Sequence, residues 1–92
     1  MSAELSDDTL GWLLRVSHDG SPPPWRAWVE GRDHTSGDSF IQIGPDDQRG
    51  EDMYVSRDSA PASAQDLDLI AAARNYLPML VDELLRLRKL SR

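Results

Sequence analysis

The sequence contains no cysteine, only one phenylalanine and only two histidines among its 92 residues. Without cysteine, neither a disulfide bond nor a thiolate metal site can form. The apolar run at residues 69–73 is short, whereas a membrane-spanning helix needs about 20 apolar residues. The first residues also lack the basic and apolar stretches of a signal peptide. We therefore expect a cytoplasmic protein with no membrane partner.

Basic residues are scarce along most of the chain. The formal net charge is −6, from 10 basic and 16 acidic side chains. Four of the basic residues fall in the last seven positions, so residues 1–85 hold 6 basic against 16 acidic groups, a net charge of −10. Such an excess of negative charge makes nucleic acid an unlikely partner. The basic end suits the negative pole of a C-terminal helix. The length fits a single domain, residues 1–92, with a thin core.

The N-terminal segment, residues 1–21, predicts a short helix over residues 4–17 that is followed by a turn. Ser6 can cap this helix, and Leu10, Leu13 and Leu14 fall on one face of it.

The middle segment, residues 22–60, predicts three short strands in an antiparallel meander. Apolar and polar residues alternate over 25–30, 39–43 and 53–56, and the polar loops 31–38 and 44–50 connect them. A meander of this size needs a helix packed on one face to be stable.

The alternation in the first strand places Trp25 and Trp28 on opposite faces. We expect one of them in the core and the other available for stacking beside arginines. Tyr54, on the outer face of the third strand, would extend such a stacking surface.

The C-terminal segment, residues 61–92, predicts a long helix. Ser63 and Asp66 form a capping-box-like pair at its start. Its apolar residues follow 3-4 spacing. The members of this stripe are Ile70, Ala73, Leu77, Leu80, Leu84 and Leu87. The stripe is wider than a three-stranded sheet requires, so part of it should meet the N-terminal helix or a second chain. We predict an α+β fold in which this helix packs on the sheet and in a homo-oligomer interface.

Signatures of catalysis and of metal binding are absent from the sequence. His18 and His34 lie on different loops, with no second histidine at ligand spacing, so we expect no metal and no cofactor. There is no phosphate-binding glycine loop and no nucleophile elbow. We predict a protein that is not an enzyme, and a small hydrolase that uses His34 remains a minor alternative.

The candidate ligand-binding residues combine guanidinium, aromatic, imidazole and amide groups. They are Arg26, Trp28, Arg32, His34, Arg74 and Asn75. The loop 31–38 is either a binding loop or a solvated hairpin loop with Asx turns at Asp33 and Asp38. Pro78 predicts a bend near residues 74–78, because it cannot donate to the carbonyl of Arg74. That bend either wraps the helix over the sheet or presents Arg74 and Asn75 to a ligand.

Two motifs carry a resemblance to a known family. Pro24-Trp25 precedes the β-region, and the helix contains Ile-Ala-x-Ala-Arg-x-x-x-Pro at residues 70–78. Over residues 22–90 the chain resembles the small phage- and prophage-encoded accessory proteins of the ead-like type. The resemblance implies a phage accessory protein and assigns no role to a residue. By analogy of size and layout alone, some small phage proteins are oligomers that sequester nucleotide immune signals.

Two hypotheses about function follow. In the first, the chain is a non-enzymatic phage-type binding protein that sequesters a small anionic ligand such as a nucleotide signal. In the second, it is an acidic protein-interaction module that binds or inhibits a host protein, for instance by mimicking nucleic acid.

Overall fold

The computed structural model describes residues 4–35 and 37–91. Its elements are α1 (Asp7–Asp19), β1 (Trp25–Trp28), β2 (Phe40–Ile43), a short 3-10 helix (Asp46–Gln48) and α2 (Ala64–Leu90). An α+β fold with an N-terminal helix, an antiparallel sheet and a long C-terminal helix is thereby confirmed. Three parts of the predicted organisation lie outside the described residues: residues 1–3, Ser36 of the polar loop and Arg92 of the basic end.

Serine side chains begin both long helices, as the sequence predicts. The hydroxyl of Ser6 accepts a hydrogen bond from the Thr9 N–H at 3.0 Å. The hydroxyl of Ser63 accepts one from the Asp66 N–H at 3.1 Å. Each bond satisfies one of the N–H groups that have no partner within the first helical turn.

The sheet is antiparallel, and Trp25 lies opposite Ile43 while Trp28 lies opposite Phe40. Trp25 and Ala27 face α2 together with Ile41 and Ile43, and these residues form the core with Leu67 of α2. The side chains between them in each strand point to the other face of the sheet, which we call the outer face.

The prediction of a third strand over residues 53–56 was wrong, since the described residues form a two-stranded sheet. Met53 alone continues the ladder, and it exchanges backbone hydrogen bonds of 2.8 and 2.9 Å with Ile41. The carbonyl of Val55 then accepts from the N–H of Ala62 at 2.8 Å. The chain folds back on itself there, and its backbone groups are no longer available to β2.

Helix α1 packs along α2 in the antiparallel direction, since its start lies near the end of α2 and its end lies near residues 70–77. Arg88 near the end of α2 donates to Asp7 at the start of α1 at 2.8 Å. Leu10 of α1 and Val81 of α2 are buried. Pro78 lies inside a helix that continues on both sides of it. Within the described ranges, neither helix combines the length and the apolar character needed to cross a membrane.

Candidate functional site

A row of aromatic rings crosses the outer face of the sheet. The rings of Trp28 and Phe40, which face each other across β1 and β2, stack with centroids 6.3 Å apart and planes inclined by 17°. The guanidinium of Arg26, two residues before Trp28, lies over the Trp28 ring with its carbon 4.0 Å from the centroid. This is a cation–π contact at close range.

Three further side chains extend this row. The His34 ring lies 5.7 Å from the Phe40 ring, and the Tyr54 ring also lies 5.7 Å from it. Tyr54 is 60% exposed, so it is the end of the row that is open to solvent. The Arg49 guanidinium lies 5.6 Å from the Phe40 ring. We call this set the outer-face cluster: Arg26, Trp28, His34, Phe40, Arg49 and Tyr54.

Gln42 holds the cluster in place, although it is a polar residue that is only 3% exposed. Its side-chain oxygen accepts from the indole N–H of Trp28 at 2.9 Å. Its amide nitrogen donates to the Gly44 carbonyl at 3.1 Å and to Asp46 at 2.8 Å. A buried amide with its hydrogen bonds made fixes its partners as well as itself, so the Trp28 ring has a defined orientation.

Arg32 occupies a different place and uses its donors within the chain. It donates two hydrogen bonds to the Asp68 carboxylate, at 2.8 and 2.9 Å, and one to Asp33 at 3.1 Å. The hydrogen bonds to Asp68 and then to Asp33 raise the pKa of Arg32. The same bonds lower the pKa of both carboxyl groups, and the N–H of Val29 lowers that of Asp33 further. Arg32 therefore ties the loop 31–38 to α2.

Asp33 bonds to the residue four positions before it, whereas the predicted Asx turn would use the N–H two positions after it. Asp33 accepts a hydrogen bond from the Val29 N–H at 2.8 Å, and the N–H groups of Arg32 and Asp33 donate back to the Val29 carbonyl. These bonds end β1 at Trp28, two residues earlier than the sequence predicts, because they take the backbone groups that the strand would use.

Arg74 and Asn75 lie on the opposite side of the sheet from the outer-face cluster, on α2. Both polar ends of the Asn75 side chain are bonded to the backbone of Trp25, each at 2.8 Å. The Arg74 guanidinium lies 5.9 Å from the Trp25 ring. The six predicted ligand-binding residues thus occupy separate places, and only Arg26, Trp28 and His34 come together.

Neither a family model, nor a curated protein, nor a solved structure matches this chain. The resemblance to ead-like phage proteins, the phage setting that it implies and the absence of enzymatic activity stay predictions. Function must be argued from the geometry of the sites.

Two members of the outer-face cluster, Phe40 and Arg49, were predicted neither as ligand-binding residues nor, like Tyr54, as part of a stacking surface. Phe40 could have been found, since the alternation over residues 39–43 places it on the same face as Gln42 and opposite Ile41. Arg49 carries no such signal, because the loop that contains it has no regular period. The carboxylate of Asp52 pairs with Arg49 at 2.9 Å.

The predicted oligomer stripe on α2 is divided between two environments. Ile70, Leu77 and Leu84 are half-buried by the chain itself, whereas Ala73, Leu80 and Leu87 are exposed. The exposed set shares a helix face with further exposed apolar side chains at positions 69, 76 and 90. We call this combined surface the α2 outer stripe: Leu69, Ala73, Tyr76, Leu80, Leu87 and Leu90.

Proposed function

We propose that this protein is a non-enzymatic binding protein for a small anionic ligand that carries an aromatic ring, such as a nucleotide. The observation that supports the proposal is the contact of Arg26 with Trp28 inside a row of rings on the outer face of the sheet. Rings give a stacking surface that accepts any base, and a guanidinium gives a fork that matches phosphate oxygens.

The exposed ring of Tyr54 is the proposed stacking position. It is the accessible end of the row, and its ring lies against that of Phe40 with centroids 5.7 Å apart. Arg26 is exposed, and among the described residues its guanidinium lies over the Trp28 ring and makes no hydrogen bond or ion pair with a carboxylate, although its charge helps to lower the pKa of the Asp33 carboxyl group. An anion that reached Arg26 would therefore not have to displace a carboxylate from it.

The biological part of the proposal rests on the resemblance. A phage accessory protein that sequesters a nucleotide immune signal needs affinity and no turnover. The outer-face cluster, which offers aromatic rings and guanidiniums, suits such a task.

A thermal-shift screen against mononucleotides and cyclic dinucleotides tests the proposal, and calorimetry should follow each shift. We expect Arg26→Gln and Tyr54→Ala each to weaken binding about tenfold, since one charge-assisted bond or one stacked ring is worth roughly 1–3 kcal/mol. Arg57→Gln is the matched control, because Arg57 is exposed and has no side-chain partner in the described structure. The proposal fails if no nucleotide shifts the melting temperature (Tm), or if the control weakens binding equally.

We also propose that a second copy of the chain covers the α2 outer stripe. Near the start of α2, Asp66 is acidic, and near its end Lys89 is basic, and the ion pairs of the described residues use neither of them, whereas Asp68, Arg86 and Arg88 pair within the chain. Two antiparallel copies related by a two-fold axis would bring these unlike ends together and oppose their helix dipoles. The stripe follows the helix for about 20 residues, or about 30 Å at 1.5 Å per residue, which is a length suited to a small dimer interface.

The same stripe supports the second candidate function, an acidic module that binds a host protein. An exposed apolar surface within an acidic body fits a partner that has an apolar groove with a basic rim. Salt-sensitive capture of a basic host protein by the wild type, lost in Leu80→Glu and accompanied by no nucleotide binding, would favour this alternative.

A further inference from the structure

A cleft of about 300 Å³ lies between the end of α1, the middle of α2 and the first residue of β1. Its walls are mostly carbon, and Arg74 brings a positive charge to it. The residues that shape the argument are Val16, Ser17, Trp25, Ile70, Arg74 and Leu77. A volume near 300 Å³ is at the small end of the range for ligand pockets.

Arg74 is half-buried, and its Nε is buried without a hydrogen-bond partner. Across residues 4–35 and 37–91 no carboxylate pairs with its guanidinium, and its contact is with the ring of Trp25. By contrast, Arg32, Arg49 and Arg88 each pair with an aspartate. A guanidinium N–H that is withdrawn from water and left without an acceptor is unfavourable unless something else compensates it.

We propose that this cleft binds a small organic monoanion, with a carboxylate on Arg74 and an apolar body along Val16, Ile70 and Leu77. The Nε–H and a terminal N–H of one guanidinium form a fork that a carboxylate fits with both oxygens. Because Nε is buried, the guanidinium must turn toward the ligand for this fork to form.

The apolar walls argue against a nucleotide in this cleft. A phosphate group with two negative charges needs several donors, whereas a single guanidinium is the cation here, and the remaining charge would lie against carbon. The proposed ligand is therefore different from that of the outer-face cluster, and the two sites lie on opposite sides of the sheet. The inference goes beyond the proposed function and does not depend on it.

Hexanoate and 1-hexanol form a suitable pair of probes, because they share an apolar chain and differ in charge. We would titrate each into the ¹⁵N-labelled full chain and follow the amide signal of Gly20 and the indole signal of Trp25 by NMR. We expect hexanoate to shift both signals and to bind more tightly than 1-hexanol. Absence of shifts at about 20 mM hexanoate, above the millimolar range expected for such a fragment, would overturn the proposal.

Arg74→Met separates the charge from the shape of the side chain. We expect this variant to bind hexanoate roughly tenfold more weakly or worse, since a charge-assisted pair is lost. It should bind 1-hexanol no more weakly than the wild type does. Its Tm should rise by a few degrees, because an apolar side chain replaces an unpaired charge. Weak binding of hexanoate in a more stable protein cannot be attributed to unfolding.

Two further variants complete the test. Val16→Phe narrows the cleft from α1, outside the α2 outer stripe, while Arg74 is retained, and it should weaken both probes. Arg26→Gln, in the outer-face cluster, should leave the affinity for hexanoate unchanged, so that failure of one site is distinguishable from failure of the other. Equal affinity of hexanoate for the wild type and Arg74→Met, or shifts confined to residues outside the cleft, would contradict the assignment.

Discussion

The side-chain amide of Asn75 bonds to both backbone polar groups of Trp25. Its nitrogen donates to the carbonyl and its oxygen accepts from the N–H, each at 2.8 Å. Trp25 pairs with Ile43 on the other side, and the neighbouring bond runs from the Gly44 N–H to the Pro24 carbonyl. The N–H and carbonyl of Trp25 thus face the open edge of β1. The amide takes the place of one residue of a neighbouring strand and closes that edge.

Loss of this amide should destabilise the protein strongly. We expect Asn75→Leu to lower the free energy of unfolding by about 2–4 kcal/mol, because two part-buried backbone groups lose their partner. For a domain of this size, Tm should fall by roughly 10 °C or more in a thermal denaturation followed by circular dichroism. Gln65→Leu, at an exposed position of the same helix, serves as the control. Equal melting of the two variants would show that the amide contributes nothing.

The ion pairs of Arg32 should give the stability a specific dependence on pH. The pKa values of Asp33 and Asp68 lie below the ordinary value of 3.8. A carboxyl group with a lowered pKa in the folded state stabilises the protein above its unfolded pKa, and this contribution is lost as the pH falls through the folded value. We therefore expect the Tm of the wild type to fall more steeply below about pH 4 than that of Arg32→Gln.

At neutral pH, Arg32→Gln should melt below the wild type, and the two melting curves should converge in acid. Arg57→Gln removes the same charge from an exposed position and should follow the wild type at every pH. If the Tm values of Arg32→Gln and the wild type ran parallel from neutral to acid pH, Arg32 would not be the cause of the lowered pKa values.

Self-association should depend on the α2 outer stripe. Leu80 and Leu5 are exposed leucines, at 65% and 46%, but Leu5 precedes α1 and is not part of the stripe. We expect the wild type to form a dimer at micromolar concentration, Leu80→Glu to be monomeric and Leu5→Glu to remain dimeric. Light scattering over a concentration series measures this. If the wild type were monomeric at all concentrations, the proposed dimer interface would be contradicted.

Two glycines with the same backbone angle should respond differently to alanine. Gly44 and Gly31 have φ values of 86° and 85°, in the left-handed region, where a side chain costs about 1–2 kcal/mol. At Gly44 an added Cβ would also lie 2.9 Å from the Gln48 carbonyl oxygen, whereas at Gly31 it would meet no atom within 4 Å. We expect Gly44→Ala to be less stable than Gly31→Ala in urea denaturation. The reverse order would show that the backbone near Gln48 yields easily.

The sequence predicts those features of the fold that depend on neighbouring residues. Ser6 and Ser63 cap helices through bonds to residues three positions later, so short patterns suffice to locate both starts. The segment 53–56 has the alternation of a strand, yet it ceases to be one because Val55 bonds to Ala62 across a chain reversal. Alternation indicates which face a side chain occupies, and it does not identify the hydrogen-bond partner.

Because alternation does not identify hydrogen-bond partners, only part of the candidate site could be predicted from the sequence. Alternation correctly predicts that Trp25 and Trp28 lie on opposite faces of β1, and the structure adds that Trp25 is the one in the core. It cannot predict that Arg32 pairs with Asp68, or that Asn75 bonds to Trp25, because these partners are 36 and 50 residues apart. Residue type identified Arg32 and Asn75 as polar groups able to bind a ligand. In the folded chain, both bind residues that are distant in sequence instead.

Three links that join the first half of the chain to α2 are nested one inside another. Arg32–Asp68 lies within Trp25–Asn75, which lies within Asp7–Arg88. Once the innermost pair has met, each outer pair has only a short additional segment to close, so the entropy of loop closure is divided into small steps. The two halves of the chain can therefore come together stepwise from the innermost pair outwards, and no segment has to pass through a loop that is already closed. Tension applied to its two ends would load Asp7–Arg88 first and reach the sheet last.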